Sequence, residues 1–218
     1  MLMNRWRKAG RNLYCFSPPV MLATFAIEAI LVTYVLFRYK MSQITRLVVA
    51  LLGLLATFQL AEYYVCGGLG ASAASWSRLG FAVITLLPAV GIHLLHEIAG
   101  KKLNKLTLAA YGSALAWVAT FAFSERAFSG HICAGNYVIF QIKPTATLLY
   151  FAFYYFWLFA GVYLCFKLAK SANTKNKRES LSLLGLGYLA FLFPTAIANV
   201  VNPSTVDGIP SIMCGFAI

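Results

Sequence analysis

Six apolar runs, each about as long as a bilayer core is thick, constrain this chain more than any other feature. A helix needs about 20 apolar residues to cross a ~30 Å hydrocarbon core. Such runs extend from about Pro19 to Phe37, Leu47 to Val65, Leu79 to Ile98, Leu103 to Phe123, Ala146 to Leu168 and Leu181 to Val201. A further piece, "SIMCGFAI", starts at Ser211 and is still short of a span at Ile218. The expected fold class is all-α: a polytopic membrane helical bundle with six full spans and a seventh begun at the C-terminus. No repeat or soluble segment divides it, so residues 1–218 read as a single integral membrane domain.

Composition supports lipid as the solvent. The chain is 61% hydrophobic and 11% charged, whereas a soluble domain carries about 25% charged residues. Its formal charge of +12 is no sign of nucleic acid, because the Lys and Arg flank apolar runs, where they set orientation and meet anionic headgroups. The connections after spans one, three and five hold eleven of them: Arg38, Lys40, Arg46, Lys101, Lys102, Lys105, Lys167, Lys170, Lys175, Lys177 and Arg178. Those after spans two, four and six hold three, Arg78, Arg126 and Lys143. Positive residues favour the cytoplasm, which places the N-terminus outside and the basic loops inside a cell membrane. The N-terminal cluster Arg5, Arg7, Lys8 and Arg11 pulls the other way, but the tally still favours this layout.

The outer side then collects Cys15, Cys66, Cys133 and Cys214, with Cys165 near the cytoplasm. Cysteines facing an oxidising compartment fit disulfide bonding, and four allow three pairings. A Cys66–Cys133 bridge would tie the second span to the loop after the fourth; buried free thiols are the equal alternative. The same side holds Glu62, with Gln59 one turn deeper, then Glu125, His131, Asn136, Asn199, Asn202, Ser204 and Asp207. A polar mouth above a bundle suits a small ligand, although loops are polar anyway. Among these, Glu62, His131, Asn199 and Asp207 are candidate ligand-binding residues. Glu28 joins them from nine residues into the first span, roughly 14 Å deep at ~1.5 Å per residue. A bare carboxylate there costs at least about 2.5 kcal/mol on insertion scales, so a hydrogen bond, a pairing or a proton is expected.

The stretch "GIHLLHEIAG" places His93, His96 and Glu97 on one helical face. These are candidate metal ligands, with Cys165 the remaining one at matching depth. A metal site needs three or four ligands at one depth, and the interface reading, in which the group is the wet cytoplasmic end of a span with Glu97 pairing to Lys101, is favoured. No cofactor is called for beyond that metal ion. GxSxG, a Walker loop, CxxC and HExxH are all missing from the sequence. The aromatic fifth span, "LLYFAFYYFWLFAGVYLCF", reads as lipid-facing and packing surface, with an aromatic ligand pocket as the lesser reading.

Several segments resemble one family. "RLGFAVITLLPAVGIHLLHEIAGKK", "FQLAEYYVCG" and "KRESLSLLGLGYLAFLFPTAIANVV" followed by "GIP" are similar to spans of the seven-helix membrane sensor region found ahead of bacterial histidine kinases and cyclases. That resemblance implies an N-outside topology in the bacterial inner membrane, a sensory or signal-relaying role, and Glu62, Pro88, His93, Pro194 and Asn199 as positions of interest. The opening "YCFSPP" is similar to the Cys-Phe-Ser starts of uncharacterised polytopic membrane proteins, which implies no function. The leading expectation is a non-enzymatic sensor or interaction subunit that binds a small molecule, lipid or protein and relays helix shifts to a partner protein or second copy. A membrane metal-dependent or redox enzyme using His93, His96 and Glu97, and a small transporter using Glu28, are the alternatives.

Overall fold

The computed structural model describes residues 18–67, 72–123, 128–133, 138–142 and 144–201. Six helices follow in order: α1 (Pro18–Arg38), α2 (Gln43–Gly67), α3 (Ala73–Ile98), α4 (Lys105–Phe123), α5 (Pro144–Lys170) and α6 (Lys175–Val201). All six are long and apolar enough to cross a membrane.

Helices α2, α3 and α6 start earlier than their apolar runs because polar caps extend them. Ser42 Oγ accepts the Thr45 N–H at the start of α2, and Ser72 Oγ accepts the Ser75 N–H at the start of α3. Asn104 Oδ1 does the same for the Thr107 N–H of α4, and Thr174 Oγ1 for the Lys177 N–H of α6. Each satisfies a donor that the first turn of a helix leaves without a partner. At its other end α3 closes through Gly100, whose φ of +71° suits a residue without Cβ. There the Lys101 N–H reaches His96 O and the Gly100 N–H reaches Glu97 O, both at 2.9 Å, the paired bonds of a Schellman stop. The expected Glu97–Lys101 pair is therefore not made: the helix ends before Lys101, and the i,i+4 register is lost. Among the described residues the ion pair is Lys175–Glu179, at 3.7 Å.

Short connections make neighbouring helices antiparallel. α3 is the central element, with 72% of its span buried against 17–33% for the other five. α2 and α4 flank it, α5 and α6 pair with each other against it, and α1 lies on α2. Polar bonds lock α5 in place. Thr85 Oγ1 donates to Phe81 O, so Tyr150 Oη donates to Thr85 Oγ1 at 2.9 Å. Trp157 Nε1 donates to Ser113 Oγ of α4 at 3.0 Å. The aromatic span thus divides by face: Tyr150, Tyr154 and Trp157 are buried, while Phe156, Phe159 and Tyr163 are exposed.

The loop after α4 contains an element absent from the sequence reading. Residues Phe128–Cys133 (β1) and Val138–Ile142 (β2) form a two-stranded antiparallel hairpin. Its register sets His131 opposite Phe140 and Cys133 opposite Val138, with an irregularity between Phe128 and Gly130.

Candidate functional site

A cavity of about 220 Å³ lies between the helices. Four helices wall it: Leu51 from α2, Leu87 and Gly91 from α3, Leu158 from α5, and Gly187 and Tyr188 from α6. Its walls are apolar apart from tyrosine hydroxyls. Two glycines shape it in different ways. At Gly187, which is exposed at the mouth, a Cβ would meet nothing within 4 Å. At Gly91 a Cβ would fall far inside contact distance of Tyr188 Oη, so this glycine is the notch that admits the ring. Gly161 of α5 bounds the ring on another side, its Cβ position lying 3.0 Å from Tyr188 Cζ. Tyr188 thereby bolts α6 to α3 and α5, and its hydroxyl has no hydrogen-bond partner among the described residues. Nothing in the periodicity of α6 marks Tyr188, because the notch that receives it is built from two other helices.

Glu28 presents the second feature. It is 2% exposed, on a buried stripe of α1 with Met21 and Thr24. Neither of its carboxyl oxygens has a hydrogen-bond partner among the described residues. The partner expected for a carboxyl at this depth is not found among them.

Most of the remaining candidates fall outside what is described. Glu62 and Gln59 are buried on α2 one turn apart. His131 lies in β1 and Asn199 in the last turns of α6, their side chains outside the described residues, as are those of Cys66 and Cys133; Asp207 lies outside altogether. The outer mouth and the Cys66–Cys133 bridge therefore concern parts of the chain that the described residues do not reach.

The histidines of α3 are committed to α4. His93 Nδ1 is 3.1 Å from Tyr111 Oη, and the two rings meet edge to face. His96 is buried, with Nδ1 2.8 Å from Ile92 O and Nε2 3.0 Å from Asn104 Nδ2. Asn104 Oδ1 is occupied by the Thr107 N–H and hydroxyl, so its Nδ2 must donate to His96 Nε2. A carbonyl can only accept, so His96 Nδ1 carries the proton. Both ring nitrogens are then engaged, and the lone pair a metal would need is taken. Among the described residues no three His, Cys, Asp or Glu side chains converge as a metal site. His93, His96 and Glu97 thus share a face without forming a ligand set.

This network predicts that Asn104→Ala lowers the stability of the detergent-solubilised protein by about 2 kcal/mol, from the lost cap and the stranded imidazole. A thermal unfolding curve unchanged from the parent would show that the Asn104 amide does not hold His96.

Comparison of the chain with protein-family models, with curated proteins and with solved structures finds no match.

Proposed function

We propose that this chain is a multi-pass membrane protein of the sensor type, which takes a small, mostly apolar molecule into the cavity between α2, α3, α5 and α6. The cavity beside the unpartnered Tyr188 hydroxyl carries this reading. Its walls would be satisfied by hydrocarbon, and its one free polar group suits a ligand with a single hydrogen-bonding end. Occupation would act on Tyr188, where three helices meet, and a displaced ring would shift α6 against α3. The receiver of that shift is a partner protein or a second copy of the chain. In the proposed orientation the lysine-rich turns after α1, α3 and α5 face the cytoplasm of a cell membrane, as the charge bias favours. The segment from Ser211 would begin a seventh span.

The test uses a diazirine-bearing octanol as a photoprobe, with peptide mapping by mass spectrometry. Labelling is expected at cavity residues such as Leu184 and Tyr188, and Gly187→Leu should remove most of it by filling open space without a clash. Equal labelling of the same peptides in the parent and Gly187→Leu would rule the cavity out as the site.

The buried, partnerless Glu28 favours a second reading, proton-coupled transport. That reading needs Glu28 to be reached from both sides of the membrane in turn. It predicts a proton flux into dye-loaded proteoliposomes that disappears in Glu28→Gln.

A further inference from the structure

At the lysine-rich end of the bundle, the turns after α3 and α5 enclose a recess of about 170 Å³. Ala99 and Leu168 line it together with Lys101, Ser171, Asn173 and Lys177. Lys177 Nζ lies 2.7 Å from where a Cβ on Gly100 would sit, so the left-handed glycine that ends α3 also makes room for this ammonium. Among the described residues neither lysine has an acidic partner, the ion pair there being Lys175–Glu179. The Asn173 amide has no partner among them either. The start of α6 adds to the positive field, with no acidic residue in its first turn. Lys102, Lys105, Lys167, Lys170, Lys175 and Arg178 lie within a few residues of the lining in sequence.

We infer that this recess binds the phosphate of an anionic glycerophospholipid, with Lys101 and Lys177 as its cationic clamp and Asn173 as a neutral donor. The apolar floor is the argument for a lipid over a free phosphate. Leu168 and Ala99 would meet the glycerol and first acyl carbons, where a soluble anion gains nothing from them. Charge neutralisation near a membrane surface is short-ranged, so a geometric site at this level would select a headgroup and not merely attract a charged leaflet. The inference rests on the membrane-spanning reading and is independent of the interhelical cavity.

The experiment is titration of the detergent-purified protein with short-chain phosphatidylglycerol, read by native mass spectrometry and by thermal shift. Phosphatidylcholine and inorganic phosphate form the comparison arms. Phosphatidylglycerol should bind and stabilise, and the other two should not. In the double variant Lys101→Gln/Lys177→Gln its affinity should fall about thirtyfold, from two lysines near an anionic surface. Lys102→Gln/Lys105→Gln, which removes the same charge outside the recess, should leave most of the affinity. Both variants alter exposed residues, so folding is preserved. Equal losses in the two double variants, or equal binding of phosphatidylcholine, would overturn the site. Equal stabilisation by inorganic phosphate would reassign it to a soluble anion. Protein that stays dispersed and folded without detergent would instead remove the membrane reading beneath it.

Discussion

Gly91→Ala is expected to destabilise the protein by about 2–3 kcal/mol, the upper part of the range for forcing a methyl group into a packed interior. The added carbon would lie far inside contact distance of Tyr188 Oη. The ring is packed against a second helix as well, since it also occupies the space that a Cβ on Gly161 would take, 3.0 Å from Cζ. Tyr188→Phe should repair most of the loss. Removing Oη leaves Cζ, 3.2 Å from the new methyl, as the nearest atom, a crowding that a few tenths of an ångström relieve. Gly161→Ala should cost less than Gly91→Ala, and the phenylalanine should help it less, since its closest contact is a ring carbon. Thermal unfolding in detergent measures all four proteins. If Gly91→Ala behaves like the parent, or if Tyr188→Phe fails to rescue it, the wedge between α3, α5 and α6 is not as described.

The second large effect has the opposite sign. Glu28→Leu is expected to stabilise the protein by about 2–3 kcal/mol, because it removes a buried carboxyl that makes no hydrogen bond and replaces it with a side chain suited to the same depth. Glu28→Gln should gain less, since an amide without partners carries much of the same penalty. A stabilising substitution at a natural position marks a residue kept for something other than folding. The same variants therefore separate the roles. Stabilisation with unchanged photolabelling and loss of proton flux would favour transport over sensing. Destabilisation by Glu28→Leu would mean that the carboxyl does hold a partner.

Much of this architecture was readable in the residues. The ends of α3 at Ile98, α4 at Phe123 and α6 at Val201 coincide with the ends of their apolar runs. The starts do not, because Ser42, Ser72 and Thr174 cap polar turns that carry helical backbone beyond the apolar stretch. The hairpin went unread because "FSGHIC" and "VIFQI" are short and flanked by a long polar loop, where period-two alternation is weak. Near the C-terminal end of α3, the spacing of His93 and His96 set them on one face but could not show their partners. Tyr111 and Asn104 belong to the next helix, and it is Asn104 that decides the state of His96. The cavity is the least legible feature. Its glycines and Tyr188 lie on three helices, and each alone looks like an ordinary residue of an apolar span.

The central position of α3 bears on the order in which such a chain can mature. Helices emerge from the ribosome in sequence, yet two polar groups of α3 complete their bonding only with residues made later. His96 waits for Asn104, and Thr85 waits for Tyr150, 65 residues downstream. Before those residues exist, Thr85 keeps only its bond to Phe81 O and His96 only its contact with Ile92 O. Forming the helices and locking them together are therefore separate events, and the second cannot finish before most of the chain has been made.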